Sequence, residues 1–89
     1  MKLKSRFWAD LTWQDFASLS VSPAIDNVVA VLPVAAIEQH GPHLPLSVDQ
    51  TLIDGIVQAS LPLMDVNLPV LILPTQAIGK SNEHERFPG

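Results

Sequence analysis

The run VVAVLPV, Val28 to Val34, constrains this chain more than any other stretch. It is continuously apolar and rich in valine, the pattern of a strand buried on both faces in a parallel sheet covered by helices. A second short apolar run, VLILP at Val70 to Pro74, has the same character. Between them, QTLIDGIVQASL, about Gln50 to Leu61, sets Leu52, Ile53, Ile56, Val57 and Ser60 on one face at helical spacing, and Pro62 ends the segment. Gly55 in its interior either lowers helix propensity or allows close packing on the sheet. Strand, helix, strand is a βαβ unit, whose crossover is right-handed and whose strands run parallel.

Upstream, Leu11 to Leu19 carries a helix start. Thr12 is a good N-cap, Asp15 follows three residues later, and Trp13, Phe16 and Ala17 share a face. Trp8, Trp13 and Phe16 are read as packing groups in preference to a ligand-stacking role. SLSVSPAIDN, Ser18 to Asn27, is the connection into the first strand. The expected order is therefore helix, strand, loop, helix, strand, an α/β arrangement with no visible repeat or low-complexity tract.

The first strand runs into a loop of unusual chemistry. LPVAAIEQHGPHLPLSVDQ, Leu32 to Gln50, places Glu38, His40, His43 and Asp49 among apolar residues and prolines. In open α/β sheets ligands bind beyond the carboxyl ends of the strands, which is where this loop begins. Glu38 and His40 are two apart, so in an extended segment both side chains point to one side. Gly41-Pro42 and Leu44-Pro45 stiffen the return. Asp49 sits near the start of the next helix, where an acid also serves as a cap. A carboxylate, an imidazole and a second carboxylate make half of a divalent metal site suited to Zn²⁺, Mn²⁺ or Fe²⁺. As a bare pattern the same residues describe a solvated loop with a capping aspartate. His43 is an orienting group behind a ligand, a surface residue or itself a ligand. The final segment, Thr75 to Gly89, has no apolar period and carries Ser81, Glu83, His84 and Glu85 just beyond the second strand; Glu83-His84-Glu85 also fits a solvated loop.

Composition removes several function classes. Five Lys and Arg against nine Asp and Glu give a net charge of −4, with no basic field for nucleic acid. The cations are Lys2, Lys4, Arg6, Lys80 and Arg86. No stretch reaches the roughly 18–20 apolar residues of a membrane span. No signal-peptide-length apolar run follows the basic N-terminus, so a cytoplasmic location is expected. Without cysteine there is neither a disulfide nor a thiolate site. A hydrophobic share of 47% and a mean hydropathy of +0.26 in 89 residues is high for a small free-standing domain, and points to a piece of a larger core.

Three motifs in order then carry a resemblance that spans nearly the whole chain. LPVAAIEQHGPHLPLSVD resembles the signature of the creatininase (creatinine amidohydrolase) family, FWADLTWQDF resembles its W-x-x-L-T-W segment, and IGKSNEHERFPG resembles its G-x-S-x-E-H-x-x-F-P-G segment. The resemblance implies an αβα sandwich on a mainly parallel sheet, of which residues 1–89 are a truncated N-terminal portion. It implies metal-dependent hydrolysis of a non-peptide C–N bond, in an amide or cyclic amide, by a water activated between two metal ions. Glu38 would ligate one ion, His40 the other, and Asp49 would bridge them, with the remaining ligands later in the family's chain. Ser81 and His84 would lie beside a small-molecule amide substrate. Family members form homo-oligomers, commonly hexamers. Ala35-Ala36 stands where Gly-Ser is usual, Val48 where Thr is common and Ile78 where an aromatic residue is frequent, and these departures bear on substrate. Counting ligands, the 89 residues alone are expected to be inactive. The alternative is a non-catalytic metal-binding or assembly fragment.

Overall fold

The computed structural model describes residues 3–89; Lys2, counted above among the cations, lies outside them. The elements in chain order are helix α1 (Trp13–Ser20), strand β1 (Val29–Val31), helix α2 (Val48–Ser60) and strand β2 (Val70–Ile72). Short 3-10 turns occur at Trp8–Asp10, Pro23–Asn27, Leu61–Leu63 and Asn82–His84. The α/β reading holds, in the expected order. The chain divides into two compact units, residues 3–32 with Met64–Pro74, and Pro33–Leu63 with Thr75–Gly89.

The first unit contains the sheet. β1 and β2 pair in parallel, with Val29 opposite Val70, Ala30 opposite Leu71 and Val31 opposite Ile72. On its other side β2 meets the N-terminal segment: Phe7 forms an isolated parallel bridge with Ile72, whose N–H donates to the Arg6 carbonyl at 2.7 Å. β2 is thus flanked on both sides, and Leu71 and Ile72 are 0% and 4% exposed. Among the described residues β1 has β2 as its one sheet neighbour, and all three β1 residues are exposed. Burial on both faces therefore belongs to β2, and the expectation for Val28 to Val34 is corrected. That strand is also shorter than expected, because Pro33 has no N–H for a ladder.

Local capping explains the rest of this unit. Thr12 and Asp15 form a reciprocal capping box: the Asp15 N–H donates to Thr12 Oγ1 at 3.3 Å, and the Thr12 N–H donates to Asp15 Oδ2 at 2.8 Å. Those bonds hold the Asp15 carboxyl below its ordinary value, the backbone donor from Thr12 contributing most. Trp8 packs on Phe16 with ring centroids 4.5 Å apart, whereas Trp13 is 75% exposed and is not the packing group its spacing implied. The Arg6 guanidinium donates to the carbonyls of Asp65 at 2.6 Å, Val70 at 3.3 Å and Leu68, tying the segment before β2 to the N-terminal segment.

In the second unit, Val34 and Gln76 form an isolated parallel bridge, with the Ala35 N–H on the Gln76 carbonyl at 2.9 Å and the Gln76 N–H on the Pro33 carbonyl at 2.8 Å. This clamp holds the polar loop beside the C-terminal segment. α2 begins at Val48, two residues earlier than the periodicity suggests, so Asp49 lies in its first turn instead of preceding it. Ile53, Val57 and Ser60 are half-buried, while Leu52 and Ile56, expected on the same inner face, are exposed. A Cβ at Gly55 would meet nothing within 4 Å, so close packing is not the reason for that glycine. No helix among the described residues is long and apolar enough to cross a membrane.

Candidate metal centre

The second unit gathers the polar residues of both its segments. The loop after Leu32 turns at Gly41, whose φ of +81° is a left-handed conformation that glycine adopts without strain. Its return is fixed by the Glu38 N–H donating to the Leu46 carbonyl at 3.2 Å. Glu38, His40 and Asp49 then offer ligand atoms that all lie within 4.8 Å of one another. Glu38 is the most sheltered, its side chain 15% exposed.

The protonation of His40 follows from its neighbours. Nδ1 lies 3.0 Å from the backbone carbonyl of Glu38, which can only accept, so Nδ1 carries a hydrogen. Nε2 therefore presents a lone pair in the neutral ring, and it lies 3.1 Å from Asp49 Oδ1. Two acceptors at that distance attract only with a cation between them, either a second proton on the ring or a metal ion. The His40 pKa is accordingly raised, first by the Glu38 carbonyl and then, against partial desolvation, by the Asp49 and Glu38 carboxylates. An imidazole fixed through Nδ1–H to a carbonyl, with its free nitrogen facing two carboxylates, is the arrangement metal-binding histidines use. The donor set thus fits a divalent ion.

The C-terminal segment closes on the same carboxylate. Ser81 Oγ donates to Glu38 Oε2, and the Ser81 carbonyl accepts from the His84 N–H at 3.0 Å. His84 Nε2 lies 3.6 Å from Glu38 Oε1 and 3.9 Å from Glu83 Oε1, so Glu38, Glu83 and His84 form a second trio of ligand atoms within 4.8 Å. Gln39 joins the two segments: its Nε2 is 2.8 Å from His84 Nδ1, and its Oε1 accepts the Gly41 N–H at 2.9 Å.

Of the residues singled out in the sequence, the structure brings Glu38, His40, Asp49, Ser81 and His84 together. It leaves His43 exposed, its ring against Gly41. Gln39 was not singled out, and Glu83 was named only within a stretch that also fits a solvated loop. Alternation along an extended loop points Gln39 away from its neighbours Glu38 and His40, and only the approach of the C-terminal segment gives it a partner. Beside Glu38 and Asp49 lies an open recess of ≈ 440 Å³, whose apolar wall comprises Val34, Ala35, Ala36, Leu52, Ile53 and Ile56.

Several known proteins resemble this chain. A family profile described as creatininase, creatinine amidohydrolase, matches residues 9–89. A mycofactocin precursor peptide peptidase of Mycobacterium tuberculosis (strain CDC 1551 / Oshkosh) is 38% identical over 76 residues, 79% of this chain and 28% of its own length. A creatinine amidohydrolase of Pseudomonas putida is 31% identical over 91 residues, 97% of this chain and 32% of its own. A solved mutant creatininase described as Zn-Zn type superposes with a TM-score of 0.69 at 30% identity, over 98% of this chain and 33% of that one. The chain therefore spans about a third or less of the proteins it matches.

Proposed function

This chain belongs to the creatininase family, and from that premise we propose that it is the N-terminal part of a metal-dependent hydrolase that cleaves amide C–N bonds. Glu38, His40 and Asp49 hold divalent metal in this reading, Asp49 being shared between two ions. The observation that carries it is the 3.1 Å approach of His40 Nε2 to Asp49 Oδ1 while Nδ1 is committed to the Glu38 carbonyl. The relatives' names support the reaction class, since an amidohydrolase and a peptidase both cleave amide bonds. Zinc is favoured by the structure described as Zn-Zn type, and manganese and iron suit the same mixture of carboxylate and imidazole.

When bound, such ions polarise a carbonyl and lower the pKa of water toward neutrality. The chain's own residues prepare that site. The Glu38 carbonyl fixes the His40 ring so that Nε2 is free to ligate. Ser81 Oγ donates to Glu38 Oε2 and steadies that carboxylate. The first turn of α2 carries Asp49 and sets its Oδ1 3.1 Å from His40 Nε2. The recess beside Glu38 and Asp49 takes the apolar part of the substrate, and Ala35 and Ala36 widen it relative to larger side chains.

A metal titration tests this. Zn²⁺ or Mn²⁺ added to the chain should give saturable but weak uptake that Asp49→Ala abolishes, with turnover of small cyclic amides or short peptides only in a polypeptide that supplies the remaining ligands. A catalytic ion needs about three protein ligands plus an open position, and Glu38, His40 and a shared Asp49 give each of two ions only two. Uptake unchanged in Asp49→Ala, or no uptake by the unaltered chain, overturns the proposal.

A further inference from the structure

Glu38 is common to two groups of ligand atoms, one with His40 and Asp49 and the other with Glu83 and His84. By distance alone either could take a cation. Hydrogen-bond polarity separates them, and Gln39 sets that polarity. The backbone N–H of Gly41 can only donate, so the Gln39 amide atom 2.9 Å from it is the carbonyl oxygen. The other end of the amide, 2.8 Å from His84 Nδ1, is therefore the NH₂ group, which can only donate. His84 Nδ1 must accept, and the ring hydrogen resides on Nε2, the nitrogen 3.6 Å from the Glu38 carboxylate and 3.9 Å from that of Glu83.

We infer that Gln39 is a positioning residue that holds His84 as an Nε2–H donor facing Glu38, and so confines metal to Glu38, His40 and Asp49. The inference rests on the reading that those three side chains hold the ion. The two histidines that meet Glu38 are set in opposite senses. His40 gives its Nδ1 hydrogen to a carbonyl and offers Nε2 as a lone pair, whereas His84 accepts at Nδ1 and offers Nε2 as a hydrogen. For His84 to ligate through Nε2 its hydrogen would have to move to Nδ1, where it would meet the Gln39 NH₂ at 2.8 Å. Ligation through Nδ1 would require displacing Gln39 altogether. The Glu38–Glu83–His84 group thus presents an N–H, 3.6 Å from Glu38 Oε1 and 3.9 Å from Glu83 Oε1, where a metal ion would need a lone pair. The C-terminal segment supplies the Glu38 carboxylate with one hydrogen-bond donor, the Ser81 hydroxyl, and no ligand.

Ring-nitrogen NMR on the ¹⁵N-labelled chain reads this directly, because two-bond ¹H–¹⁵N correlations distinguish the two neutral tautomers. The three imidazoles are assigned by single substitution, and spectra are taken at about pH 8, above the ordinary imidazole pKa of about 6.5. Without metal, His84 should show hydrogen on Nε2 and a bare Nδ1. Gln39→Glu keeps an oxygen for the Gly41 N–H but replaces the donor with an acceptor, and should move the His84 hydrogen to Nδ1. Gln39→Leu removes both contacts. Added Zn²⁺ should shift the His40 ring nitrogens and leave His84 in place in the unaltered chain, and shift both in Gln39→Leu. Hydrogen on His84 Nδ1 in the unaltered chain, an unchanged tautomer in Gln39→Glu, or a zinc shift of His84 equal to that of His40 would each overturn the inference. If zinc moves neither ring, the metal reading itself fails, while the metal-free comparison with Gln39→Glu still decides the role of Gln39.

Discussion

Replacing Gly55 with alanine should stabilise the chain, and its size can be worked from the helix. Gly55 lies inside α2, has no positive φ, and its missing Cβ would meet nothing within 4 Å. No steric cost offsets the intrinsic gain, which for Gly to Ala in a helix interior is about 0.8–1.0 kcal/mol. Part of that gain comes from restricting the unfolded chain. For a domain of about 60–100 residues, 1 kcal/mol corresponds to roughly 4–8 °C in Tm. Urea denaturation followed by far-UV circular dichroism should show the midpoint rise with the m-value unchanged. Ala59→Gly, at an exposed position of the same helix, is the control and should lower the midpoint. If Ala59→Gly destabilises but Gly55→Ala does so as well, α2 is formed and its Gly55 face is covered in solution, which refutes the open surface found here. If neither variant changes stability, α2 itself is not formed.

Further outcomes concern the caps and the site. Thr12→Ala should cost about 1 kcal/mol by removing the acceptor for the Asp15 N–H. Because the Asp15 pKa is lowered in the folded state, its contribution is complete above the ordinary value of 3.8 and is lost as pH falls through the folded value; Asp15→Asn should flatten the acid limb of a stability-against-pH curve, and an unchanged limb would show the box is unimportant. Arg6→Lys should cost about 1–2 kcal/mol, since an ammonium cannot span the carbonyls of Asp65, Leu68 and Val70; equal urea midpoints would refute this. Ser81→Ala should weaken zinc about tenfold by freeing Glu38 Oε2, and an unaltered Kd by calorimetry would remove Ser81 from the site.

The sequence determined what is local. Thr12 and Asp15 specify the α1 start because both halves of a capping box lie within one turn, and the apolar runs at Val28 and Val70 specify two strands whose parallel pairing follows from the helix between them in the chain. Glu38, His40 and Asp49 could be named because charged side chains on an apolar, proline-stiffened loop are unusual and because that loop resembles the creatininase signature; the spacing alone also describes a solvated loop. The tertiary structure decided what depends on partners distant in the chain. Burial went to β2 and not β1 because Phe7 bridges β2 on its other side. Trp13 and Ile56 are exposed because helical spacing states which residues share a face but not whether anything lies opposite that face. Gln39 gained its role only when residues 75–89 came alongside the loop: the polarity of a hydrogen bond is a property of a pair, and His84 is 45 residues away from Gln39.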